Sequence, residues 1–265
     1  MGDGALIAAV RSGDVAAVDA LLDAGADPDT VDGAGTPALC LAVDAFDLPV
    51  VELLSGAARL DRVAPDGRTA LLRAVDRGAY EITEALVCRG AQLWHKDGAG
   101  RDALALARYW HETGAVDELR RRSGRTGRTG GTGRSGPAEP VRRRTVRGAF
   151  GTTCEELSLG GRRVRTGHTA ILTVLEPRYG VRPAFEELLS RALAEPDVDH
   201  EVWWATTSAA QQRHDPAVRE AAAALRDRPD ARERYFGAEV LRLIDLFEGS
   251  DSEEGDFAGS DVEGA

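Results

Sequence analysis

Apolar residues recur along the first half of the chain with a step of about 33. Leu6, Leu39, Leu71 and Leu104 follow one another at that interval, and Gly35, Gly67 and Gly100 keep it. Gly25, Ala57 and Gly90 form a third series in the same register. Between the markers, each unit holds two short stretches with apolar residues at helical spacing, separated by a turn. A turn and two short helices per ~33 residues is the pattern of a stacked repeat array. No single unit of such an array can bury its apolar face alone.

Asp66-Gly-Arg-Thr-Ala-Leu-Leu-Arg-Ala74 opens one unit, and Val18-Asp-Ala-Leu-Leu-Asp-Ala-Gly-Ala-Asp27 closes another. These residues resemble the ankyrin repeat, with its glycine-led turn, its Leu-Leu in the second helix and its Gly-Ala-Asp exit. The chain is similar to bacterial proteins that carry ankyrin repeats. The resemblance spans residues 1–119 as about four copies. Gly25 and Gly90 fall where a helix ends in left-handed backbone, and Pro49 falls in the first turn of a second helix. Phe46 stands where the neighbouring copies have Gly13 and Gly78, so a distorted turn is expected there. The fourth copy runs on through Tyr109-Trp-His111 and reads as an atypical cap. The resemblance implies a concave face of hairpin tips and first helices that binds a protein partner. On it, Trp94, His95, Lys96, Tyr109, Trp110 and His111 form the candidate contact patch, with sealing of the last repeat as the plainer role of the two tryptophans.

Charge changes the picture after residue 119. The net charge of −11 conceals three blocks: −10 over residues 1–119, +9 over 120–147 and −10 over 148–265. The middle block holds ten arginines against Glu139, with serine, threonine and glycine between many of them. Such a segment has too few apolar residues for a core, so residues 120–147 are expected to be a flexible tether. The alternative is a phosphate-binding arm of a nucleic-acid-associated protein. Its contacts would be Arg120, Arg121, Arg122, Arg125, Arg128 and Arg134, then Arg142, Arg143, Arg144 and Arg147.

Residues 148–248 read as helical again. Thr169-Ala-Ile-Leu-Thr-Val-Leu175 is an apolar stretch, and Phe185, Leu188, Leu189 and Leu193 keep helical spacing. Three helix starts are expected at Asp197, Asp215 and Asp230. Asp215, Val218, Arg219, Ala221, Ala222 and Leu225 resemble a HEAT repeat, a paired-helix solenoid unit. Residues 249–265 read as a disordered acidic tail. The expected fold class is therefore all-α, an ankyrin solenoid joined by a disordered Arg/Gly-rich linker to a HEAT-like segment.

Catalytic chemistry finds little support. The chain has no Gly-x-x-x-x-Gly-Lys loop and no Gly-x-Ser-x-Gly elbow, and His95, His111, His168, His200 and His214 are scattered. No cofactor and no metal are expected. A lyase-like role for the HEAT-like segment rests on fold analogy alone. Cys40, Cys88 and Cys154 are widely spaced and read as thiols of a reduced compartment. With no apolar run near ~20 residues and no leader-like start in Met1-Gly-Asp-Gly4, a cytoplasmic, non-membrane location is expected. The expected function is a non-enzymatic scaffold whose tether lets two binding surfaces engage one protein target.

Overall fold

In the first helices of the array, local capping sets the boundaries. The computed structural model describes residues 2–126, 139–149 and 151–253. Helices α1 (Gly2–Ser12) and α2 (Val15–Asp23) form the first antiparallel pair, α3 (Ala38–Ala45) and α4 (Leu48–Ser55) the second, and α5 (Ala70–Asp76) and α6 (Tyr80–Cys88) the third. Asp14, Asp47 and Thr69 each accept a hydrogen bond from a backbone N–H one turn ahead, which fixes the starts of α2, α4 and α5. Pro49 lies in the first turn of α4 as expected, and Gly25 and Gly90 are left-handed at φ 85° and 89°.

The turns between units repeat one bonding scheme. Asp32 N–H donates to the Thr36 carbonyl, Ala64 N–H to Arg68 and Asp97 N–H to Arg101, each at 2.9 Å. The side chains of Asp32 and Asp97 also accept two backbone N–H bonds inside their own turns. Leu6, Leu39, Leu71 and Leu104 are all buried, so the periodic leucines are the seam of the stack. First helices pack in the series α1, α3, α5, and second helices in the series α2, α4, α6.

Phe46 does not distort its turn. Its backbone takes the left-handed conformation at φ 61°, next to 67° for Gly13 and 66° for Gly78. A side chain there costs ~1–2 kcal/mol. The ring offsets this by burial and by the guanidiniums of Arg77, Arg163 and Arg165, which lie 4.5–5.9 Å from its centroid.

The fourth unit departs from the sequence reading. Helix α7 (Ala103–Thr113) continues the first-helix series on α5 and overruns the expected turn, ending at Gly114 with φ 80°. The next helix, α8 (Ala115–Thr126), packs on α7 and on a three-stranded sheet. Helix α9 (His168–Leu175), over 50 residues downstream, packs on both α6 and α7 and so stands where the fourth second helix belongs. Copy four is thus completed by a distant segment rather than closing the stack at residue 119.

The intervening sheet corrects the all-α expectation. Strands β1 (Arg142–Arg147), β2 (Thr153–Leu159) and β3 (Arg162–Arg165) pair antiparallel in the order β1-β2-β3. Leu159 pairs with Arg162 across Gly160 and Gly161, both at positive φ, the two-residue turn that matches strand twist. The expected tether over 120–147 therefore begins in α8 and ends in β1, because Glu118 and Asp76 hold Arg122 and β2 supplies a partner for the arginine-rich strand. Residues 127–138 lie outside those described.

By internal packing the chain divides into residues 1–180 and 181–265, not at 147/148. The second unit contains α10 (Phe185–Leu193), α11 (Glu201–Gln211), α12 (Pro216–Ala224) and α13 (Ala231–Glu253) around Phe185, Leu188, Trp203, Phe236 and Val240. Trp203 is buried and Trp204 exposed, as two adjacent positions on a helix require. Asp215 caps α12, and the Asp230 carboxylate accepts from the Arg232 N–H at the start of α13. Asp197 does not cap α11, since His200 takes that place and accepts from the Val202 N–H. Residues up to 253 continue α13, so the expected acidic tail starts inside a helix; residues 254–265 lie outside those described.

Candidate binding surface

Three successive turns of the stack expose a large apolar side chain each. Val31 is 37% exposed, Val63 44% and Trp94 63%, and with Val15 they are the exposed large apolar residues described in the first unit. Each turn is tied to the next. Asp29 takes the Arg59 N–H and Nε at 2.9 and 2.7 Å, and Asp61 accepts from the Gln92 N–H at 2.8 Å. The row is held in place before any contact is made.

Trp94 is further fixed by Tyr179, whose ring meets it edge-on with centroids 4.3 Å apart. The Tyr179 hydroxyl donates to the Leu93 carbonyl at 2.6 Å, and burial, with the charge of Asp102 nearby, pushes its pKa up to about 12. His95 is half-buried beside it and Lys96 is exposed.

The other half of the expected patch serves the interior. Trp110 is buried, donates its indole N–H to Asp76 at 3.0 Å and stacks on His168. Tyr109 donates to Glu118 at 2.7 Å, with Arg101 and Arg121 over its ring. His111 is exposed and its Nδ1 lies 2.9 Å from the Thr169 hydroxyl of α9. Trp94, His95 and Lys96 thus belong to the row of turns, while Tyr109, Trp110 and His111 join α7 to α8 and α9.

Around Trp110 the charges are paired and mostly buried. Asp76 accepts from Arg68 at 2.6 Å and from both terminal nitrogens of Arg122 at 2.8 and 2.9 Å. Burial pushes this carboxyl up, but the Arg122 hydrogen bonds and the charges of Arg68 and Arg122 outweigh it and leave its pKa at about 2. Burial also drives His168 down to about 4, so its ring is neutral at pH 7.

The candidate phosphate arginines fare unequally. Arg121 and Arg122 are engaged by Glu118, Arg143 by Glu155 and Arg144 by Glu156, and Arg120 lies 3.5 Å from Asp117. Arg142 and Arg147 are exposed on β1. Arg128 and Arg134, and the side chain of Arg125, lie outside the described residues.

Sequence reasoning missed the strand that lies across the ends of α3 and α5. The Arg165 N–H donates to the Arg77 carbonyl at 2.7 Å, and Arg77 Nη1 donates to the Arg163 carbonyl at 3.3 Å. With α8, this strand encloses part of the surface formed by α3, α5 and the turn before α5. Gly160-Gly161 between two alternating stretches was the available signal.

Among the described residues, no helix is long and apolar enough to cross a membrane. No curated protein matches the chain. Residues 6–97 match the family model of ankyrin repeats, in three copies, and ankyrin repeats are in general protein–protein interaction modules.

Proposed function

We propose that the protein is a non-enzymatic adaptor that holds a protein partner along the row of turns carrying Val31, Val63 and Trp94. The observation that carries this reading is the concentration of exposed large apolar side chains on successive turns of one stack. Apolar side chains already held in place lose little entropy on contact, and an aromatic residue at one end supplies an anchor. The acidic balance of residues 1–119 favours a partner whose apolar segment is flanked by basic groups.

The finer elements follow the same logic. The HEAT-like reading of the second unit is supported by buried Val218, Ala222 and Leu225, and by Arg219, which pairs with Asp245 and Glu248. A reducing, cytoplasmic setting agrees with three cysteines that form no disulfide, of which buried Cys40 has its thiol pKa pushed up to about 12. The nucleic-acid reading loses ground because Arg121, Arg122, Arg143 and Arg144 have carboxylate partners.

The test is affinity capture from the native cell with the full chain and with a Val31→Ser, Val63→Ser, Trp94→Ser variant. The variant should keep its melting temperature and lose the captured protein. Retention of that protein would sink the assignment of the surface.

A further inference from the structure

Where β3 and α8 lie over α3 and α5, they border an open pocket of about 250 Å³. At ~30 Å³ per water, this is room for several water molecules or one small solute. Six arginines line it, Arg68, Arg73, Arg77, Arg122, Arg162 and Arg163. Only three carboxylates share the wall. Asp44 serves both Arg73 and Arg77, and Asp76 serves both Arg68 and Arg122. Asp66 holds Arg73 alone. Glu118 also holds Arg122 at 2.6 Å and Asp97 lies 3.9 Å from Arg68, so the excess of cations is concentrated at Arg73 and on β3.

Three details show that the pairing is incomplete. Arg73 Nε is buried and has no hydrogen-bond partner. Arg162 is exposed and makes no ion pair among the described residues. Arg163 reaches only Glu156, at 3.8 Å, and that carboxylate already holds Arg144 at 2.9 Å. Beside the pocket, the guanidiniums of Arg77, Arg163 and Arg165 all lie within 5.9 Å of the Phe46 ring centroid. Carboxylates already lie beside these three, Asp44 on Arg77 and Glu156 within 4.0 Å of Arg163 and Arg165, so the open demand for an anion sits at Arg73 Nε and Arg162.

We propose that this pocket is a binding site for a small solute carrying a diphosphate group. A multiply charged oxyanion with several acceptor oxygens can take the forked donors of more than one arginine, which a single carboxylate cannot. Adjacent in β3, Arg162 and Arg163 point to opposite faces of the strand, so one of the two meets the group together with Arg73 and Arg77 of the stack, and substituting both covers either orientation. The pocket borders the turn that carries Val63, through Asp66 and Arg68, but none of Val31, Val63 and Trp94 lines it.

Calorimetric titration of the full chain with inorganic pyrophosphate at constant ionic strength tests the proposal. One equivalent should bind, with a matching rise in melting temperature. Arg162→Ser with Arg163→Ser should weaken binding roughly tenfold or more, the loss expected for charge-assisted bonds. Arg142→Ser with Arg147→Ser removes the same charge from exposed positions on β1 and should leave binding nearly unchanged. If the first pair of substitutions fails to fold, Arg162→Lys with Arg163→Lys keeps the charges and should still weaken binding through lost forked contacts. No saturable binding at millimolar pyrophosphate, or equal weakening by the β1 pair, would overturn the assignment.

Discussion

The indole of Trp110 lies flat on the imidazole of His168, with centroids 4.3 Å apart and planes 9° from parallel. The two residues sit 58 positions apart, on the fourth first helix and on the distant helix that completes its pair. Trp110 is buried and bonds Asp76 through its N–H, so one side chain links α5, α7 and α9. Trp110→Ala should destabilise the first unit by about 3–5 kcal/mol, the usual loss for a large core aromatic. Trp110→Phe keeps part of the stack and should cost less, though Asp76 loses one donor. Denaturant unfolding of both variants measures the order, and equal, small losses would contradict the linking role.

The same contact makes stability depend on pH. An exposed imidazole titrates near 6.5, whereas burial puts that of His168 at about 4. Between those values the unfolded chain binds a proton that the folded chain refuses. Stability is therefore full above about pH 6.5 and declines as pH falls toward 4, by up to about 3 kcal/mol. His200, also at about 4 through burial, does the same for the second unit. Asp76 acts in a lower window, since its folded value near 2 stabilises above about 4 and is lost on further acidification. Melting curves between about pH 7 and 4.5 should fall less steeply for the first unit of His168→Phe than for wild type. An unchanged slope would mean that His168 is protonated in the fold.

Arg122 falls in the segment expected to be a tether, yet it is bonded to both Asp76 and Glu118. Removing it leaves two carboxylates in low-exposure positions with reduced compensation. Arg122→Met should cost about 3–5 kcal/mol, the range for breaking one side of a buried ion pair. Adding Asp76→Asn to that variant should recover part of the loss, which a double-mutant cycle in denaturant resolves. Simple additivity would show that the two side chains do not act together.

These residues also mark how far the sequence could be read. Leu6, Leu39, Leu71 and Leu104 repeat because each fills the same place in the seam, and local period reports local structure. The insertion of α8 and the sheet between α7 and α9 leaves no such trace, because the link between Trp110 and His168 is formed only in three dimensions. Arg142-Arg-Arg144 looks like solvated charge until Glu155 and Glu156 on β2 are placed opposite, and adjacent acids in a strand point to opposite faces. The sequence leaves both tryptophans between sealing the last repeat and meeting a partner, because only the packing of α9 separates them: Trp110 is buried and Trp94 is exposed in a turn.

Gly78 carries the constraint that fixes β3 against the stack. Its φ is +66°, and a Cβ built there would lie 2.1 Å from the Arg165 carbonyl oxygen. Gly25 has a similar φ of +85°, with nothing within 4 Å of such a Cβ. Gly25→Ala should thus cost only the left-handed backbone penalty, ~1–2 kcal/mol. Gly78→Ala must pay that penalty and also push β3 away, adding about 1–3 kcal/mol of the kind seen on overpacking. It should also loosen the pocket that β3 borders, so amide exchange in β3 should speed up while exchange in α1 and α2 stays slow. Matching losses for the two glycines, with β3 exchange unaltered, would show that the strand is not held by this contact.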